Sequence, residues 1–111
     1  MALERVASAS DIPEGEVRVV ECRGRSFAMS HLDGAYYAID NRCTHDNGPL
    51  GEGRLRGSRI ICPRHGAAFD AKTGRVLSLP AVRSVGAYAV TVEGDDVYVD
   101  CPAESADGAR P

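Results

Sequence analysis

Tryptophan is absent from this 111-residue chain, and phenylalanine and tyrosine together make up only 5% of it. With a net charge of -3 and no interleaving of basic with aromatic residues, the chain is a poor candidate for nucleic-acid binding. No apolar run approaches membrane-spanning length. The opening residues Met1 to Ala7 lack a basic region followed by an apolar core, so no secretion signal is visible. A cytoplasmic, soluble protein is therefore expected, with no membrane association. Catalytic equipment is missing as well. There is no flavin or nucleotide fingerprint, no nucleophile paired with a base, and no two-histidine-one-carboxylate iron site. The length allows one domain and leaves no room for a second, catalytic one.

Glycine is plentiful, at 12 residues, and with it come turn signals. Val-rich Glu16 to Cys22 suits a pleated, partly buried surface. Arg23-Gly24 reads as a hairpin turn into Arg25 to His31, and Asp33-Gly34 as a second turn into Ala35 to Ile39. These runs make an antiparallel meander, preceded by a short strand around Glu4 to Ala7. After Ile39 the character changes. Short strands at Arg54 to Arg56, Arg59 to Ile61 and Ala68 to Asp70 are joined by Gly57-Ser58 and by loops rich in glycine. A last hairpin runs from Val85 to Glu93, turns at Gly94-Asp95 and returns over Asp96 to Asp100. No helix of useful length is called for. The class is all-β.

The chemistry concentrates between Arg42 and Phe69. Cys43-Thr44-His45 and Cys62-Pro63-Arg64-His65 present a Cys-x-His and a Cys-x-x-His pair, with sixteen residues between His45 and Cys62. Ligands so close in sequence reach one metal centre only if the backbone turns back on itself, and Gly48, Gly51, Gly53 and Gly66, with Pro49 and Pro63, supply that chemistry. Two metal centres suit such a set: tetrahedral zinc, or a cluster in which one iron takes two cysteines and the other two histidines. A zinc finger of this composition usually groups like with like, whereas each loop here offers one of each.

That mixed pattern resembles the Rieske 2Fe-2S motif, and from about Glu4 to Cys101 the chain looks like the soluble Rieske-type ferredoxins associated with oxygenases. The resemblance implies an antiparallel β-sandwich or barrel base with a small inserted cluster-binding subdomain, about residues 41–81, within a single domain of residues 1–101. The last ten residues, 102–111, are expected to form a disordered tail. Carried over, Cys43 and Cys62 would bind one iron of a 2Fe-2S cluster, and His45 and His65 the other. The implied function is electron transfer, not catalysis. One electron would pass from a flavin-dependent, pyridine-nucleotide-oxidising ferredoxin reductase to a terminal oxygenase, often one that hydroxylates aromatic rings. Docking would be transient, at the cluster tip, and the carrier a monomer. Two alternatives stay open at this stage: a Rieske-like small subunit bound to a larger redox enzyme such as a nitrite reductase, and a structural zinc module that mediates protein contacts.

Replacing two thiolates by neutral imidazoles makes the oxidised cluster formally neutral, so it accepts an electron more readily than a four-cysteine cluster. Rieske potentials span about -150 to +300 mV. Respiratory members of the family carry an extra cysteine in each loop and place serine and tyrosine hydroxyls near the cluster sulfurs. Here Gly48, Arg64, Ala67 and Phe69 stand at those places, which implies a potential near the low end.

Charge divides unevenly along the chain. Residues 41–75 carry seven basic side chains against three acidic, a balance of +4, and the remainder carries -7. A basic cluster end could steer a negatively charged partner face. The tyrosines read as sheet packing, His31 as a surface or turn residue, and Cys22 and Cys101 as ordinary thiols.

Overall fold

Two-residue glycine turns decide the local structure. Arg23-Gly24 and Asp33-Gly34 both take positive φ, at 54° and 81° and at 53° and 80°. These are the left-handed pairs that a type I′ hairpin needs, and their twist matches that of the strands they join. The computed structural model describes residues 2–43, 48–63, 66–79 and 81–101. Within them lie ten strands: β1 (Ala2–Ser8), β2 (Val17–Cys22), β3 (Arg25–Leu32), β4 (Ala35–Asp40), β5 (Arg54–Arg56), β6 (Arg59–Ile61), β7 (Ala68–Asp70), β8 (Ala87–Tyr88), β9 (Val90–Glu93) and β10 (Asp96–Cys101). The only helical turns among the described residues are single 3-10 turns at Ala9–Asp11 and Leu50–Glu52. The all-β expectation holds. The expected tail at 102–111 lies outside the described residues.

Three antiparallel sheets form, in the orders β1-β10-β9, β2-β3-β4-β8 and β5-β6-β7. The middle sheet is buried on both sides, and β3 shows how. Phe27 and Met29 point into a core shared with Val97, Val99 and Cys101 of β10. Ala28 and Leu32, on the opposite face, join Ile39, Leu50, Ile60 and Phe69. Alternation with period two thus serves two cores at once, one between the two larger sheets and one beneath the small third sheet.

The first strand finds its partner at the far end of the chain: Leu3 pairs with Asp100 and Ser8 with Asp96, with a bulge between Arg5 and Ala7. The expected single strand from Val85 to Glu93 is corrected. It breaks at Ala89, so that β8 pairs with β4 while β9 pairs with β10. Tyr88 is drawn to the middle sheet by its hydroxyl, which donates to Asp40 Oδ1 at 2.8 Å, and by an edge-on contact with Phe27. Asp40 Oδ2 also accepts from the Gly86 amide at 2.8 Å, and Arg25 donates to Oδ1 at 3.2 Å. One carboxylate thereby fixes the approach of β8.

His31 is also corrected. It sits within β3, half-buried, stacked on Tyr36 with ring centroids 4.1 Å apart. Its Nδ1 lies 2.8 Å from the Ile12 carbonyl and its Nε2 3.3 Å from Glu14. The histidine ties the Pro13–Gly15 turn to the sheet. Glu14 in turn accepts from the amides of Asp33 and Gly34 at 2.6 and 3.0 Å, and the Gly34 amide first, then Asp33, holds its carboxyl below the usual range.

Candidate metal centre

Two loops interrupt the small sheet and its approach from β4, and each begins at a cysteine. The Cys43 amide donates to the Gly48 carbonyl at 2.8 Å, and the Cys62 amide to the Ala67 carbonyl at 2.7 Å. Both loops therefore close on the carbonyl five residues ahead. The second is tightened by the Gly66 amide, which donates to the Cys62 carbonyl at 3.2 Å, with Gly66 at φ 79°. Such folding back is what the short ligand spacings require.

Cys43 and Cys62, nineteen residues apart, end in the same buried cluster, walled by Leu50, Ile60, Ala67, Phe69 and Ala81. Neither is in a disulfide. Two soft sulfur donors within one buried apolar cluster fit a thiolate-bound metal, because a buried thiolate is costly unless a cation compensates it. His45 and His65, the other predicted ligands, lie outside the described residues, as do Thr44, Asp46, Asn47, Arg64 and Pro80. Among the described residues no group of three histidine, cysteine or acidic side chains converges.

The setting is built by residues that the motif does not reveal. Asn41 Oδ1 accepts from the Gly51 amide at 2.6 Å, which anchors the exit of the first loop to the end of β4. A methyl group on Gly51 would strike Val19 of β2, and one on Gly53 the carbonyl of Ile61, so the chain between the loops lies flush against its neighbours. Ser78 Oγ accepts from the Ala68 amide at 3.1 Å, and the Leu77 amide donates to the Ala68 carbonyl at 2.8 Å. Segment 77–79 is thereby sewn to β7 beside the cysteine pocket. An asparagine before the first loop and a serine after the second are the only traces of this in the sequence.

Ala67 and Phe69 are both fully buried in the wall of the pocket. They offer no hydroxyl, and their apolar side chains help keep water from the cysteines.

A family model for the Rieske 2Fe-2S domain matches residues 3–89. The chain belongs to the Rieske 2Fe-2S domain family. The ferredoxin component of a naphthalene 1,2-dioxygenase system from Pseudomonas aeruginosa is 40% identical over 90 residues, 81% of this chain and 86% of that protein. A 3-phenylpropionate/cinnamic acid dioxygenase ferredoxin subunit from Escherichia coli (strain K12) is 39% identical over 94 residues, 84% of this chain and 88% of the relative. Among solved structures, the ferredoxin of carbazole 1,9a-dioxygenase from Nocardioides aromaticivorans IC177 superposes with a TM-score of 0.84 at 32% identity, covering 89% of this chain and 97% of that one. A ferredoxin solved in complex with the oxygenase of carbazole 1,9a-dioxygenase gives 0.81 at 37% identity, covering 87% and 91%. This Rieske chain carries one 2Fe-2S cluster and serves as an electron carrier, not as a catalytic component. When bound, the cluster supplies a one-electron redox site. The chain's own part is to hold the two cysteine loops closed and keep solvent from their sulfurs. Among the described residues, no helix is long and apolar enough to cross a membrane.

Proposed function

We propose that Cys43 and Cys62 bind one iron of the cluster and His45 and His65 the other, and that the chain is the ferredoxin of a multicomponent dioxygenase acting on an aromatic substrate. One observation carries the ligand assignment: two cysteine loops with the same five-residue closure place their cysteines in one buried apolar cluster. The relatives support the system, since they are named as ferredoxins of naphthalene, phenylpropionate and carbazole dioxygenases. Electrons would enter from a flavin-dependent reductase and leave to the terminal oxygenase, with the protein a cytoplasmic monomer that docks with each partner in turn. Leu79 and Val82, 76% and 74% exposed, flank Ala81 of the cysteine pocket and favour docking at this end. The domain is read as residues 1–101, with a cluster-binding subdomain at about 41–81.

The test is chemical. Purified protein should hold iron and acid-labile sulfide in equal amounts, and Cys62→Ser should lose both. His65→Cys keeps a ligand at that place, so a surviving cluster should drop in potential by on the order of 100 mV, towards the four-cysteine class. An intact cluster in Cys62→Ser, or an unmoved potential in His65→Cys, would remove that residue from the ligand set.

A further inference from the structure

Seven of the ten arginines among the described residues fall into two sets, with Arg42, Arg75 and Arg83 outside both. On the two larger sheets Arg5 meets Asp96 at 2.7 Å, Arg18 meets Glu16, Arg23 meets Glu4 at 2.8 Å and Arg25 meets Asp40 at 3.2 Å. On the β5-β6 ribbon, Arg54, Arg56 and Arg59 have no hydrogen-bond, ion-pair or aromatic partner among the described residues, and all three are exposed. Their placement is set by the register. Leu55 pairs with Ile60 on the inner face, Arg56 stands directly opposite Arg59 on the outer face, and Arg54 lies two residues before Arg56 on that same face. Like charges directly opposed across a strand pair lower stability. The acid next in the row, Asp70, opposes Arg59 on β7 but turns its Oδ1 to the amides of Lys72 and Thr73, at 2.8 and 3.2 Å.

We propose that the outer face of the β5-β6 ribbon is a docking surface for an acidic segment of a protein partner. The Cβ atoms of the opposed Arg56 and Arg59 stand about 5 Å apart across the ribbon, and Arg54 and Arg56 start about 7 Å apart along β5, a spacing that carboxylates on an extended or looped acidic segment can match. The planar fork of arginine donates two parallel N–H bonds to one carboxylate, so three in a row favour carboxylates over diffuse negative charge. Each of the four arginines on the two larger sheets has an acid within reach, whereas the one acid opposed to the ribbon, Asp70, is engaged by backbone amides. Arg59 lies three residues before Cys62 in the chain, so a segment held on the ribbon would rest on the subdomain that carries the second cysteine loop. That the partner is a redox protein rests on the function proposed above; the surface itself does not depend on the cluster ligands.

The experiment measures the binding of fluorescein-labelled hexaglutamate to the iron-loaded protein at about 20 mM salt, where charge contacts are little screened. Arg56→Glu and Arg59→Glu should each weaken binding about tenfold, whereas Arg18→Glu, which changes net charge equally, should change it less than about twofold. Equal losses in all three variants would mean that net charge, not this face, binds the peptide, and would overturn the proposal. Arg56→Glu should also melt at or above the unaltered protein, since it turns an opposed like pair into an opposite one. A lower midpoint would remove the ground for the argument. Low-salt self-association that Arg56→Glu abolishes would reassign the face to a second copy of this chain. The visible absorbance of the cluster, unchanged in these variants, keeps a failure here separate from a failure of the ligand assignment.

Discussion

The two ends of this molecule use the same residue types for opposite purposes. In the two larger sheets, cysteine and arginine are locked into the fold. Cys22 and Cys101 are buried, the Cys101 thiol donates to the Cys22 carbonyl at 3.4 Å, and Arg5, Arg18 and Arg25 of the first three strands, with Arg23 of the turn after β2, each meet an acid. In the small third sheet and its loops, Cys43 and Cys62 share one buried apolar cluster, and the arginine side chains of the ribbon stand open. The difference teaches that neither residue count nor net charge identifies the working end. For the arginines, what sets the ribbon apart is that its side chains have no acid partner among the described residues.

The largest break in that contrast would come at Asp40, where one carboxylate serves Arg25, Tyr88 and the Gly86 amide. Asp40→Ala removes the shared acceptor of a guanidinium, a hydroxyl and an amide, and should cost about 2–3 kcal/mol in urea unfolding. Amide exchange should rise first at β8. An effect below about 0.5 kcal/mol would mean that β8 is held by packing alone.

A second probe separates the two cysteine pairs by pH. Burial first, then the hydrogen bond with Cys101, pushes the Cys22 thiol up to about 12. A folded value raised above the unfolded one of about 8.5 means that the unfolded chain loses its proton earlier. The contribution is complete below that unfolded value and is lost as pH rises towards the folded one. The thermal midpoint should therefore fall across this alkaline range, and Cys22→Ala should flatten the fall. An unaltered slope in that variant would place the alkaline sensitivity elsewhere.

The smallest effect is expected at an exposed pair. Arg23 donates to Glu4 and joins the turn after β2 to β1, but both side chains are well exposed. Arg23→Gln should lower the thermal midpoint only slightly, and less at high salt. A larger or salt-independent loss would show that the turn, not the charge, is what Arg23 supports.

The small sheet was the most legible part of the fold, because its strands are short and bounded by glycine turns, and β5, β6 and β7 lie where the sequence places them. The break at Ala89 was not legible. Tyr88, Val90 and Val92 keep an unbroken period of two, and only the distant Asp40 draws Tyr88 out of line with β9. Likewise β1 pairs with a strand some ninety residues away, for which no local signal exists. At the site, the turning back of the two cysteine loops was legible in the ligand spacing and the glycines, whereas the bracing by Asn41 and Ser78 depends on which amides the fold leaves nearby. The uneven charge was countable in advance. Which arginines would find acids was decided by strand register.

The split at Ala89 has a further consequence for how this domain tolerates change in length. Residues on either side of that position are committed to different sheets, so one inserted residue would slip the register of one sheet or the other and send its inward side chains to the wrong face. The tip at Arg23-Gly24, tied to β1 through one exposed ion pair, faces no such double commitment, and there a graft or tag could lengthen the chain while every ladder stayed in step.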